Sequence, residues 1–444
     1  MSIVNVALPS MREGLEASAA ELQWIVSGYA LSFGLVLVAS GRLGDARGRR
    51  TMFVVGVVLF TVSSIIAGAA PNAMTVVIAR LLQGVGSGVI NPQISGLIQE
   101  MFQGIERGRA FGRLGAVIGL STAIGPVLGG VIIRIAGVDV GWRWIFLVNI
   151  PIGMLVIALS YRYLPRPKPS PDSRDLDPVG VVLLGAGVLA LLWPLVNGGD
   201  MDALQFLWVL VAAVLFWVFV KWERRYESRG RLPMVDLDLF RLQSYTAGTI
   251  LALTYFSGFT GIFFILTLFF QNGVGYTALA AGLGLTSFAI GSTLSSGMSG
   301  RHVVQAGRKL VVWGLTLVLI GLIGSQITVQ LVGTDPSVGF WLAFPLLIAG
   351  VGSGMVISPN QTLTLVEVPV ARGGSAGGVL QTGQRIGTAA GVALVGALYF
   401  SGLGQDDVTA VTNGLWSTIS LTAVSLVVGI IDLVLRKRRG VPSA

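Results

Sequence analysis

One apolar stretch follows another along almost the whole chain, each about twenty residues long, the length an α-helix needs to cross the hydrocarbon core of a bilayer. They run at roughly 22–40, 51–70, 74–98, 110–136, 143–163, 178–197, 204–221, 245–270, 276–299, 309–330, 339–362, 375–400 and 414–435, thirteen crossings in all. Ahead of them stands the stub Ser2-Ile3-Val4-Asn5-Val6-Ala7-Leu8-Pro9, about half a crossing long, without the basic start and cleavage site of a signal peptide. We read it as the outer half of a first helix truncated at its N-terminus, which makes fourteen helices. Only 11% of the 444 residues are charged, against about 25% in an average soluble protein. That is too few to cover a water-facing surface. The expected fold is an all-α membrane protein, and its 61 glycines let helices approach closely.

Absences narrow the chemistry. The chain has no cysteine and a single histidine, His302, so disulfides, thiolate metal sites and paired imidazoles are excluded. No metal, no cofactor and no enzymatic activity are expected. Gly84-Val85-Gly86-Ser87-Gly88 sits inside an apolar helix and follows no strand, so it is not a dinucleotide loop, and no P-loop pattern appears. A nucleotide-driven pump is therefore not expected. The net charge of +9 would point to nucleic acid in a soluble protein. Its placement points elsewhere. With the loop after the first full crossing set inside, 25 of the 30 basic residues fall on that side and only Arg12, Arg134 and Arg143 on the other. Such a split is the positive-inside signal of a membrane protein, and it sets both termini of a fourteen-helix chain in the cytoplasm. The lipid bilayer is the expected partner, and nucleic acid is not.

The chain repeats itself. Gly84-Val85-Gly86-Ser87-Gly88 returns as Gly350-Val351-Gly352-Ser353-Gly354, and Thr122-Ala123, Gly125, Leu128 and Gly130 match Thr388-Ala389, Gly391, Leu394 and Gly396. The loop Gly41-Arg42 to Gly48-Arg49-Arg50 returns as Gly300-Arg301 to Gly307-Arg308-Lys309. Parallel repeats of this kind place a substrate site at their interface in transporters. The expected organisation is a six-helix bundle over 1–163 with its first helix incomplete, two inserted helices with basic loops over 164–244, a second six-helix bundle over 245–435, and a basic tail over 436–444.

The motifs then become specific. Gly41-Arg42-Leu43-Gly44-Asp45-Ala46-Arg47-Gly48-Arg49-Arg50 resembles the signature loop between helices 2 and 3 of the major facilitator superfamily, and Gly125-Pro126 with Gly129-Gly130 resembles the motif of its antiporter branch. Ile3-Val4-Asn5-Val6-Ala7-Leu8-Pro9 and Trp142-Arg143-Trp144-Ile145-Phe146 with Asn149, Pro151 and Gly153 are similar to elements of the fourteen-helix drug:proton antiporters. The resemblance implies a major facilitator fold of two pseudo-symmetric bundles and alternating access in a bacterial inner membrane. It also implies export of small amphipathic compounds in exchange for protons.

Each motif residue carries a physical reason and a plainer alternative. Asp45 at a helix–loop boundary can pair with Arg49 or face a helix N-terminus, contacts that could form in one state and break in the other. The alternative is a positive-inside stop loop, which does not explain an acid framed by Gly41, Gly44 and Gly48. Arg80, about six residues into its helix with Gln83 and Gly84, resembles a motif linked to proton relay; a purely structural arginine is the alternative. Arg385, between Gln381 and Gln384 on one side and Gly387 on the other, poses the same question in the second half. Pro126 removes a backbone hydrogen bond beside glycines that permit close packing, and its repeat partner is Val392.

No carboxylate lies deep in a crossing, where a coupling acid is usual. In the family an aspartate precedes the stretch resembling Ser2-Ile3-Val4-Asn5, so the true first helix is expected to start upstream, unless the chain is a truncated form with impaired coupling. Candidates for lining a substrate cavity are Tyr29, Phe33, Asn91, Gln93, Tyr255, Phe259, Phe263, Asn360, Gln361, Gln381, Gln384 and Arg385, with ordinary packing as the alternative at each. The reading is a monomeric secondary exporter. Its rivals are a dedicated exporter of one endogenous metabolite and a non-transporting receptor or scaffold.

Overall fold

A computed structural model describes residues 2–166, 177–197, 203–402 and 406–438. Every apolar segment forms a helix, and the described residues contain no strand. This follows from the solvent: in hydrocarbon each peptide N–H and C=O must find its partner within its own segment. The stub is α1 (Ser2–Gly14), and α2 (Ala19–Arg47), α3 (Arg49–Gly68), α4 (Ala73–Met101) and α5 (Gly104–Ala136) follow. The segment expected at 143–163 is two helices, α6 (Val138–Leu147) and α7 (Asn149–Tyr163). The inserted pair is α8 (Pro178–Asn197) and α9 (Ala203–Glu227). Then come α10 (Gln243–Leu268), continued by a π turn over Phe269–Gly273, α11 (Ala278–Ala306), α12 (Arg308–Val332), α13 (Val338–Thr364), α14 (Gly373–Gly402) and α15 (Asp407–Arg438). Ten spans of the described residues are long and apolar enough to cross a membrane by length and composition.

Local signals set the helix ends. Ser18 opens α2 with a capping box: its Oγ accepts from the Glu21 amide at 3.3 Å, and its own amide donates to Glu21 Oε2 at 2.9 Å. Gly48, at φ +98°, separates α2 from α3, and Gly307, at φ +53°, separates α11 from α12. At each break the glycine amide donates to the carbonyl four residues back, to Gly44 and Val303, both at 2.9 Å. Positive φ favours glycine at both points, and the two breaks fall at matching positions of the sequence repeat.

Two compact units make up the chain. The first comprises 1–100, 128–239 and 368–382; the second comprises 101–127, 240–367 and 383–444. Helices α5 and α14 therefore contribute one stretch to each. In the first unit Val4, Ala7 and Met11 of α1 pack with Ile25, Trp142, Ile145 and Phe146. In the second, Leu251, Tyr255, Ile262, Phe288, Leu315, Leu322 and Leu346 form one large cluster. Large apolar side chains also face outward, among them Leu331 and Ile135, each 81% exposed. A lipid solvent accepts such a surface and water does not.

Candidate functional site

Asp45 lies near the end of α2 with its side chain only 2% exposed. Its Oδ1 accepts from the Gly374 amide at 2.9 Å and its Oδ2 from the Ser375 amide at 2.8 Å. These are free donors of the first turn of α14, so a carboxylate there meets both unpaired N–H groups and the positive end of the helix. Arg49, at the start of α3, completes the arrangement. Its Nη2 donates to Asp45 Oδ1 at 2.8 Å and also to the Val370 carbonyl, and its Nη1 donates to the Gly96 carbonyl at 2.7 Å. Glu100 Oε2 stands 3.4 Å from the same nitrogen. Both expected partners of Asp45, the arginine and the helix N-terminus, are thus engaged at once.

The glycines of the motif permit this approach. A Cβ on Gly41 would overlap the Gly374 carbonyl, and one on Gly374 would lie 2.6 Å from both Asp45 Oδ1 and the Gly41 carbonyl. The second unit repeats the crossing. There a Cβ on Gly300 of α11 would come 2.5 Å from the Gly108 carbonyl of α5 and 2.8 Å from Gly112 Cα. Gly300 and Gly108 occupy the repeat positions of Gly41 and Gly374. The repeat position of Asp45 is Val304, so only the first crossing carries an acid.

Arg80 is 4% exposed on α4. Its Nε donates to the Ile25 carbonyl at 2.9 Å, its Nη1 donates to Gln83 Oε1 at 2.9 Å, and its guanidinium lies 4.1 Å from the Tyr29 ring centre. Gln83 Nε2 passes the chain on to Ser64 Oγ at 2.6 Å, which Asn149 also approaches, at 3.3 Å. The Tyr29 hydroxyl donates to Ser87 Oγ at 2.8 Å, and Asn91 Nδ2 donates to the Ser87 carbonyl at 3.1 Å. Phe33 stacks on Tyr29 at 6.1 Å. The structure therefore joins Arg80, Gln83, Tyr29, Phe33 and Asn91 in one polar–aromatic cluster. Among the described residues Arg80 forms no ion pair.

In the second unit Tyr255, Phe259, Phe263 and Phe288 form a run of ring contacts between 5.1 and 6.0 Å. Gln384 and Arg385 are half-buried on α14, and Gln361 is half-buried on α13. Gln381 Nε2 donates to the Asn91 carbonyl and to Ser95 Oγ, both at 3.3 Å, within the first unit. Two expected cavity-lining amides are instead packed shut. Gln93, 0% exposed, fills the space left by Gly44 and donates to the Ser40 carbonyl at 2.7 Å. Asn360, 3% exposed, accepts from Arg308 Nη1 and donates to the Gly248 carbonyl at 2.9 Å. In the antiporter motif Gly129 faces Ile3 of α1, a Cβ there meeting Ile3 Cγ1 at 3.1 Å, while Gly130 has nothing within 4 Å. Gly125 is half-buried, and α5 runs unbroken past it; the Pro126 side chain lies outside the described residues.

One buried cluster was not foreseen. Arg308 Nε pairs with Asp432 Oδ2 at 2.6 Å, both side chains 1% exposed, while Arg436 Nε reaches Asp432 Oδ1 at 3.2 Å and Gln243 Nε2 reaches it at 3.0 Å. Position alone, one turn before the basic tail, accounts for the Asp432–Arg436 pair but not for the pair with Arg308. Arg308 is the repeat partner of Arg49, and aligning the two loops would have marked it as an arginine in need of an acid.

Residues 1–392 match the family model described as the Major Facilitator Superfamily, and the chain belongs to that family. It is accordingly a multi-pass membrane transporter of small molecules. It is 35% identical over 422 residues to the "Probable actinorhodin transporter" of Streptomyces coelicolor, covering 93% of this chain and 72% of that protein. It is 31% identical to the "Tetracenomycin C resistance and export protein" of Streptomyces glaucescens, covering 91% of this chain and 73% of the relative. The "Multidrug resistance protein Stp" of Mycobacterium tuberculosis is also 31% identical, with 89% and 72% covered. Among solved structures, the proton:xylose symporter XylE superposes with TM-score 0.67 at 16% identity over 99% of this chain and 92% of the other. The human organic anion transporter MFSD10 gives 0.66 at 15% identity over 95% and 88%. At those identities the structures show the fold.

Proposed function

We propose that the chain exports small amphipathic compounds, antibiotics among them, across a bacterial inner membrane in exchange for protons, working as a monomer with both termini in the cytoplasm. Kinship with proteins named for antibiotic resistance and export supports the substrate class, and the distribution of arginines supports the orientation. The observation that carries the mechanism is the Asp45 clasp: one carboxylate holding two backbone amides of α14 and the Arg49 guanidinium. In this reading the clasp is made in one state of an alternating-access cycle and broken in the other, with 1–163 and 245–435 as the two moving bundles. Arg80 with Gln83 and Tyr29 serves the proton path, the half-buried Phe259 and Phe263 rings line the substrate route while Tyr255, 1% exposed, is packed into the core beside them, and α5 around Gly125–Gly130 limits leakage.

A second reading, export of one endogenous product, is favoured by the relatives named for actinorhodin and tetracenomycin C. The test is efflux of a panel of dyes and antibiotics from proteoliposomes under an imposed pH gradient, with Asp45→Asn and Arg80→Ala beside the parent. Gradient-driven movement of several unrelated compounds supports the multidrug reading, and movement of one compound class supports the second. No movement of any substrate would overturn both.

A further inference from the structure

Asp177 and Glu223 sit just outside the inserted crossings at 178–197 and 204–221, one before α8 and the other in the last turns of α9. Both are 0% exposed. Each carboxyl has one oxygen with donors. Asp177 Oδ1 accepts from the Gly180 amide at 3.0 Å and from Trp222 Nε1 at 2.9 Å, and Glu223 Oε2 accepts from the Met234 amide at 3.0 Å. The other two oxygens, Asp177 Oδ2 and Glu223 Oε1, are buried with no donor at all. They converge on Gly180, where a Cβ would overlap both. Two buried carboxylates facing each other without a cation cannot both stay ionised. A proton between the facing oxygens supplies the missing donor.

Among the described residues the surroundings offer no other neutralising charge. Helix α8 carries no charged residue, and neither does the 373–382 stretch of α14, whose Val379 packs into this corner. On α9, Lys221 lies over the Trp217 ring at 3.8 Å, and Arg224 and Arg225 are exposed. On 231–239, Arg231 lies over the Tyr226 ring at 5.4 Å and Asp236 pairs with Arg372, while Asp236, Asp238 and Glu227 gather their oxygens within 4.8 Å of one another. On α2, Asp45 belongs to Arg49, Arg42 is half-buried and Arg47 is exposed. No described arginine or lysine forms an ion pair with Asp177 or Glu223.

We propose that Asp177 and Glu223 form a proton-binding site in which one proton, bonded to Glu223 Oε1 and shared with Asp177 Oδ2, fastens the start of α8 to the end of α9. On loss, the O–H bond of Glu223 breaks, the proton passes to water, and two facing carboxylates remain. Their repulsion parts the two helix ends. The inference is independent of what the chain exports. Burial, and after it the Asp177 charge and hydrogen bond, push the Glu223 carboxyl up to about 8, so the fastening responds near neutral pH. The corner also reaches the clasp. Glu223 holds the Met234 amide, Asp236 two residues on pairs with Arg372, and Val370 in the same turn accepts from Arg49.

Infrared difference spectra of the full chain in nanodiscs, titrated from about pH 6 to about pH 10, test this. The expected result is loss of one protonated-carboxyl band with a midpoint near 8 in the parent. The band should be absent from Glu223→Gln, whose amide donates to Asp177 as the proton does. Hydrogen exchange at the Gly180 amide should quicken above that midpoint in the parent and not in the variant, after correction for the intrinsic rate. The same band surviving in Glu223→Gln, or none titrating in the parent, overturns the proposal. So does a fall of the midpoint by more than about one pH unit on adding excess divalent cation, which would assign the pair to a metal. Because no arm measures transport, failure here leaves the exporter reading untouched.

Discussion

Asp45 turns both carboxylate oxygens to backbone amides and shares one of them with a guanidinium. Hydrogen bonds to a charged group contribute about 1.5–3 kcal/mol each, and states held a few kcal/mol apart are what such contacts can reverse. Asp45→Asn keeps the volume but leaves one acceptor oxygen for two amides and removes the charge. We expect gradient-driven efflux to fall by about tenfold or more, which is a loss of about 1.4 kcal/mol, with a lower melting temperature as well, because the buried Arg49 keeps only Glu100 as an anion. A variant that pumps at the parental rate would remove the clasp from the mechanism. Asp432 answers to a different rule. Asp432→Ala leaves the buried Arg308 without its anion, and breaking a buried pair costs about 3–5 kcal/mol. The purified protein should melt well below the parent. The double replacement Arg308→Met with Asp432→Leu should recover most of the loss, because two apolar side chains leave no orphaned charge.

At the level of elements, the helices were legible in the sequence because the bilayer dictates them. Each crossing needs its own apolar run, and glycine with positive φ breaks the runs at Gly48 and Gly307. The two glycine crossings test how tightly elements are set. Gly41→Val and Gly300→Val each drive a side chain into a facing carbonyl, and both should lower the melting temperature and efflux. Gly130→Ala and Gly297→Ala meet nothing within 4 Å, so both should leave the melting temperature unchanged within the scatter of about 0.5 kcal/mol usual for open surface sites. The candidate site was less legible than the helices. The sequence marked Asp45 and Arg49, but the amides that Asp45 holds lie about 330 residues further on, and backbone donors leave no mark in a sequence. Asp177 and Glu223 carry no mark in the sequence, because only packing brings them face to face. Gln93 and Asn360 misled for the opposite reason. An amide in a crossing reads the same whether it faces a cavity or a neighbouring helix, and Gly44 and Arg308 decided for the neighbour.

For the whole molecule, the raised Glu223 carboxyl sets the sign of a pH dependence. Its ordinary value is 4.5 and its value in the fold is about 8, so between those limits the native chain holds a proton that the unfolded chain has lost. Stability should therefore fall as pH rises from about 4.5 to about 8 and level off above that. Melting temperatures across that range should show the slope in the parent and a flatter one in Glu223→Gln; parallel curves would count against it. The duplicated crossing has its own consequence for the molecule as a whole. Both crossings bring glycine against glycine, yet α14 begins at Gly373, one residue before the carbonyl it presents, whereas α5 begins at Gly104, a full turn ahead of Gly108. The amides at 374 and 375 are therefore spare, while those at 108 and 109 already serve α5 itself. An acid grafted at Val304 would find no free amide, and it is the missing first turn in α14 that lets one half of the duplication fasten while its twin, one turn longer, only rests.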